Sequence, residues 1–296
     1  MTEPASNLSG MYRFTSIARP IDPAYLTNRA LLMILPLLML ASGGLAWLYD
    51  IGAGPAAAAF SGALAAFAAW ALTRELAPDY SGAAFVALVL AWIANVALGA
   101  TSVLLVFVAL LLVRLVNRST GPRWRPLDTL GVLGFCIWAA VSARQPLLLV
   151  VTAGAFTLDA TLKEPLRRHY FAAAACVPVL IWMLLGDASL VAGDLTARDW
   201  GLIGAFAGGI VVIAATSPEP VSYCDASPDR LDRVRVNAGL VIGWLAAVQA
   251  LLTDGPSAWT ETPIWACLIA VLVSLVDRIV TRRPRDVRLG QSPRPR

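Results

Sequence analysis

The sequence predicts an all-α, polytopic transmembrane bundle of about ten helices, with both termini on the cytoplasmic side (N-in/C-in). Three observations predict it. The chain is 58% hydrophobic and 14% charged, with mean hydropathy +0.70, whereas a soluble domain is roughly 45–50% apolar and about 25% charged. Apolar runs of near-spanning length recur along almost the whole of its 296 residues. Basic residues gather on alternate connections between those runs.

The elements follow in chain order. Residues 1–29 are polar, contain Pro20 and Pro23, and lack the early apolar core of a signal peptide. They are expected to form a cytoplasmic segment before a first helix that acts as an uncleaved anchor. A bilayer core needs about 20 apolar residues per helix. Candidate spans are 30–49, 55–73, 82–99, 101–117, 128–143, 146–162, 170–186, 200–216, 235–253 and 263–280. Glycine, proline and charge separate them, as at Asp50 to Pro55, Glu75 to Asp79, Arg118 to Pro126 and Lys163 to His169. The third and fourth runs are divided only by Gly99, Thr101 and Ser102. Together they are too long for one span, so a tight hairpin is expected there. Residues 30–280 thus form a single transmembrane domain, and 281–296 a basic cytoplasmic tail.

The positive-inside rule tests this layout. With ten spans, all 23 basic residues except Arg144 and Arg198 fall on the side of the termini. That asymmetry places both termini in the cytoplasm of a bacterial-type inner (plasma) membrane. All the basic residues but Lys163 are arginine, as GC-rich coding produces. The charge is confined to loops and tails, so the net +4 points to anionic lipid headgroups at the cytoplasmic face and not to nucleic acid. Trp47, Trp70, Trp92, Trp124, Trp200 and Trp265 fall near predicted helix ends, where an interfacial aromatic belt is expected.

Gly204 and Gly208 in the eighth helix, and Gly239 and Gly243 in the ninth, have GxxxG spacing. Small residues four apart let helices approach closely in lipid. The expectation is a tight pair of helices eight and nine, or a face for a homo-oligomer or a membrane-protein partner. Helix two is nearly pure alanine and should be buried. Two internal symmetries stay open, a five-helix inverted repeat and a duplication of helical hairpins.

Ionisable residues within a bilayer mark function by default, and here no helix carries one at its middle. That counts against a proton relay with a midplane carboxylate. Uncharged Asn95 and Gln249, with Arg114 and Asp159 nearer the cytoplasmic helix ends, are the candidate substrate-binding residues. A carboxylate cannot snorkel far, so Asp159 should pair with a neighbour, with Arg114 or Arg74 the expected partner. Pro36 and Pro178 are candidate kinks. Arg74, Glu75, Asp79, Lys163, Asp225 and Asp229 form a candidate cytoplasmic charged cluster. Ser227, Pro228 and Asp229 read as the start of the ninth helix. Asp225, Asp229 and Asp232 could hold Mg²⁺ for a pyrophosphate, but the interleaved Arg230, Arg233 and Arg235 compete for them, and no metal site is assigned.

The remaining motifs exclude chemistry. Cys136, Cys176, Cys224 and Cys267 make no CxxC pair and His169 is the single histidine, which argues against zinc, haem and iron–sulfur sites. There is no P-loop, Rossmann glycine pattern, GxSxG or HExxH. A Ser–His pair would have to use His169, which has no evident acid partner in the sequence. No catalytic residue and no cofactor is named by these residues. Three readings follow: a permease-like carrier of a small neutral or amphiphilic solute, a structural or assembly subunit of a membrane complex, and a lipid-modifying enzyme acting at the cytoplasmic interface.

Overall fold

A computed structural model of the chain describes residues 15–17, 19, 21–50, 54–99, 102–120, 123–186, 188–190, 194–225, 227–261 and 263–281; the side chains of 260, 261 and 275–281 are not described. The expectations placed on residues 1–14 and on the tail after 281 lie outside these limits. The described chain is all-helical. Its main elements are α1 (Leu26–Tyr49), α2 (Pro55–Leu76), α3 (Ser81–Leu98), α4 (Val103–Asn117), α5 (Pro126–Ser142), α6 (Pro146–Thr161), α7 (His169–Leu185), α8 (Ala197–Thr216), α9 (Arg233–Asp254) and α10 (Ile264–Thr281). A short 3₁₀ turn, Gly255–Ser257, and a four-residue helix, Ala258–Glu261, join α9 to α10.

The boundaries have local causes. Pro55, Pro126 and Pro146 each open a helix, where a missing N–H has no consequence. Thr196 and Asp199 form a reciprocal capping box on α8. Gly99, at φ +95°, breaks the chain between α3 and α4. α1 and α7 continue through Pro36 and Pro178, both on exposed faces.

Among the described residues, five helices are long and apolar enough to cross a membrane: α1, α2, α3, α8 and α9. α4 to α7 have 15, 17, 16 and 17 residues. At about 1.5 Å per residue α4 extends only ~22 Å, short of a hydrocarbon core of about 30 Å. The ten runs read from the sequence are therefore all helices, but not all of full spanning length.

Packing orders the bundle by side-chain size. α2 is buried along most of its length, with Ala65, Ala66, Ala68 and Ala69 fully enclosed. Around it lie α1, α3, α4, α9 and α10, while α6 joins α4 and α9 to α5 and α7. α1, α7 and α8 are peripheral and carry exposed large apolar residues, among them Met33, Leu40, Phe171, Leu185 and Val211. A water-facing helix would not carry such a belt. α3 packs on α2 and α10, and α4 on α9, α2 and α6, so the expected tight hairpin of helices three and four does not form.

The close approaches also differ from the expected ones. Gly204 and Gly208 face open space on the exposed side of α8. The glycine of α8 that meets another helix is Gly209, whose added Cβ would lie 2.5 Å from Leu272 of α10. On α9, Gly239 faces Asn117 and Gly243 faces Leu76 and Val113. The tight partner of α9 is thus α4 with α2, not α8. The aromatic belt is likewise partial. Trp47 and Trp200 are exposed, whereas Trp70, Trp124 and Trp265 are buried. Arg74 lies 4.9 Å from the Trp70 ring, and Trp265 packs 4.2 Å from Trp259, so these rings are used inside the protein.

A Cβ at Gly239 would sit 2.0 Å from Asn117 Oδ1. Gly239→Ala is expected to destabilise by about 1–3 kcal/mol through overpacking, read as a lowered thermal midpoint in detergent. Gly204→Ala should leave the midpoint unchanged or raise it, since its site is open and alanine favours helix.

Candidate functional site: a buried arginine–carboxylate network

The charged ends of α2, α4, α6 and α9 meet on one face of the bundle. Asp159, near the end of α6, is fully buried. Its partners are Arg118 and Arg235, not Arg114 or Arg74. Arg118 Nε and Nη2 donate to the two carboxylate oxygens at 2.7 and 2.9 Å, a bidentate fork, and Arg235 Nη1 donates at 2.9 Å. The spare guanidinium donors go to carbonyls, Arg118 to Glu164 O at 2.9 Å and Arg235 to Val116 O at 2.8 Å and Lys163 O at 2.5 Å.

Both arginines occupy costly positions. Arg118 caps α4 in the left-handed region, at φ 51°, where a side chain other than glycine is strained. Arg235 lies in the first turn of α9, where a cation opposes the helix dipole. A buried carboxylate compensates for both placements, and a cation at a helix start was the available sign in the sequence. α9 begins at Arg233 with Asp232 as its N-cap, the carboxylate accepting from Arg235 N at 3.0 Å. The expected start at Ser227 is displaced because residues 222–231 pair with themselves: Leu231 N donates to Ser222 O and Cys224 N to Asp229 O.

His169, also fully buried, stands 2.7 Å from Asp159 through Nδ1 and 3.0 Å from Thr129 Oγ1 through Nε2. The acid partner missing from the sequence reading is therefore Asp159, carried across the turn between α6 and α7. An acid–imidazole–hydroxyl series of this order can activate a nucleophile. Here none of the three side chains lines the cleft described below, so the series links α5, α6 and α7 structurally.

A second set joins α2, α4 and the N-terminal segment. Glu75, 1% exposed, accepts from Arg114 Nε at 2.9 Å and Arg19 Nη1 at 3.2 Å. Arg19 also pairs with Asp225 at 2.6 Å. Burial pushes the Asp225 carboxyl above the ordinary range, and Arg19 offsets this in part. Arg74 donates to Asn28 Oδ1 at 3.0 Å. The N-terminal segment is fastened over this face: Thr15 Oγ1 and Ser16 N donate to Asp128 at 3.0 and 2.6 Å, and Thr120 Oγ1 donates to Ser16 O at 2.6 Å.

The structure thus brings together Arg74, Glu75 and Asp225 of the expected cluster. Asp79 stands apart, accepting from Val221 N and Ser222 N at 3.1 and 3.0 Å. Lys163 and Asp229 are exposed. Among the candidate binding residues, Asn95 accepts from Ser61 Oγ at 3.2 Å and Gln249 Nε2 donates to Gln145 Oε1 at 3.2 Å. Arg114 and Asp159 belong to the two sets above, so the four do not share a site. Arg19 and Arg118 were not among the candidates, and His169 and Arg235 were considered without their partner Asp159, because nothing in the sequence says which charged ends converge. Among the described residues, no group of three or more His, Cys, Asp or Glu side chains could hold a metal ion.

A cleft of about 60 Å³ opens beside the network, between the ends of α2 and α8, the start of α9 and α10. Its walls are largely apolar, with Leu76, Ile213, Val236, Leu240 and Val271, and Arg233 and Asn237 stand among them. No family model, curated protein or solved structure matches the chain.

Asp159→Asn removes the charge that two buried guanidiniums share and should cost about 3–5 kcal/mol, visible as a fall in thermal midpoint or loss of the folded species. Asp229→Asn, at an exposed carboxylate, should change stability by less than about 0.5 kcal/mol.

Proposed function

We propose that the chain is a multi-pass integral membrane protein of the permease-like carrier type, moving a small neutral or amphiphilic solute, with the network face in the cytoplasm. The reading is carried by the asymmetry of closure. Among the described residues, six ion pairs, counting His169 with Asp159, lock the network face. At the opposite face the ties seen among the described residues include the hydrogen bonds of Gln145 Nε2 to Asp254 at 2.5 Å, Gln249 to Gln145, and Trp259 Nε1 to Asp199 at 2.8 Å. Between the faces the buried polar groups are uncharged, as at Ser42, Asn95 and Thr152. Ion pairs between helix ends are discrete contacts that exist in one arrangement and break in another, which suits a gate. An uncharged interior suits a solute without a counter-ion.

Two measurements test the proposal. Proteoliposomes carrying the chain should pass members of a panel of radiolabelled neutral solutes and short-chain NBD-labelled lipids faster than protein-free vesicles. Glu75→Gln, which weakens the lock, should change that rate. No flux above empty vesicles from either protein would remove the carrier reading.

Orientation is read by single-cysteine labelling in intact cells with an impermeant maleimide. A cysteine at Ser257 is expected to react from outside, and one at Ser227 only after permeabilisation. All four native cysteines are buried, and burial pushes the Cys224 thiol up, so they should stay silent until the protein is denatured. The reverse labelling pattern would invert the assigned orientation.

A further inference from the structure

The geometry points to the cleft between α2, α8, α9 and α10 as a site for an anionic phospholipid-type amphiphile, its acyl chain in the apolar groove and its headgroup on Arg233. The bound lipid is separate from the solute of the carrier reading, and the site rests on that reading only for its membrane setting.

The groove has a physical origin. α8 makes its closest approach to α10 at Gly209 and Leu272. One turn further along, Ile213 and then Ser217 line the cleft. The opposite wall is Val236 and Leu240 of α9 and Val271 of α10, all buried. Their chain neighbours Val212, Val234 and Val273 are exposed on the apolar surface of the bundle. An acyl chain laid along the groove walls removes apolar area from solvent.

Arg233 supplies the charge. Through Nη2 it donates to Ala214 O and Ala215 O at 2.9 and 3.2 Å, the open carbonyls at the end of α8. Asn237 Nδ2 adds a hydrogen bond to Ala214 O at 3.3 Å. Those contacts fix the side chain and engage one of its three nitrogens. Among the described residues no carboxylate lies within ion-pair distance of it. That separates it from Arg19, Arg114, Arg118 and Arg235, each of which has a carboxylate. Asp79, the carboxylate on the cleft wall, accepts hydrogen bonds from Val221 N, Ser222 N and Ser222 Oγ of the loop. A half-buried guanidinium with free donors at the mouth of an apolar groove is complementary to a phosphate attached to an acyl chain.

The test is native mass spectrometry of the full chain in neutral detergent, titrated with dioleoyl phosphatidylglycerol or dioleoyl phosphatidylcholine. The wild type should retain one phosphatidylglycerol at a concentration at least fivefold lower than phosphatidylcholine. Arg233→Gln should erase that preference, while Arg230→Gln, an exposed arginine on the same loop side, should keep it. Ser274→Trp, which fills the groove from a half-buried position, should abolish retention of both lipids and serves if Arg233→Gln does not fold. Equal retention of the two lipids by the wild type would overturn the assignment. So would an equal effect of the two arginine substitutions, or undiminished binding in Ser274→Trp. Lipid preference without flux would leave the site standing and remove the carrier; flux without lipid preference would do the reverse.

Discussion

The structure depends on one interaction, the burial of the Asp159 carboxylate between Arg118 and Arg235. A carboxylate in a protein interior is tolerable only when its charge is matched and its lone pairs are filled. Both conditions are met by a bidentate fork from Arg118, a third donor from Arg235 and the imidazole of His169. The consequence is geometric. Arg118 follows α4, Asp159 ends α6, Arg235 begins α9 and His169 begins α7, so satisfying one carboxylate fixes the relative positions of four helix ends. The left-handed backbone at Arg118 and the cation at the start of α9 are local penalties that this arrangement outweighs.

Glu75 applies the same logic to α2, α4 and the N-terminal segment. Its carboxylate is held by Arg114 and Arg19, and its carbonyl accepts from Asn117 Nδ2 at 2.8 Å. Asn117 in turn lies on Gly239, so the polar network and the close packing of α4 on α9 meet at one residue. Polar closure and small-residue packing are therefore a single device on this face. It explains why α2 and α4 form the dense centre while α1, α7 and α8 keep large apolar side chains outward. It also explains where slack remains. Toward its end α8 is held at Gly209 and by Arg233 on its last carbonyls, and the cleft lies beside those contacts.

Much of the helical framework was legible from residues alone. Hydropathy and proline or glycine at the breaks located all ten helices, because a helix start or stop is decided by a few adjacent residues. The need of Asp159 for a partner was legible too, since an unmatched carboxylate at that depth is prohibitive. Its partners were not. Arg118 and Arg235 stand 41 and 76 positions away in the chain, and no periodicity links such distances. The arginines nearer the expected helix ends, Arg114 and Arg74, were plausible on depth alone and turned out to serve Glu75 and Asn28.

The glycines show the same boundary. GxxxG spacing states that a helix permits close approach, and both α8 and α9 carry it. On α9 the permission is used, by Asn117, Leu76 and Val113; on α8 Gly204 and Gly208 face outward and Gly209 makes the contact. The sequence by itself determined an all-helical, lipid-compatible chain, the positions of its helices and the uncharged character of their middles, because these are properties of short segments and their solvent. Only the tertiary structure decided which helices touch, which arginine matches which carboxylate and where a cleft opens, because those depend on the rotation of each helix about its axis, and that is set by all its neighbours at once.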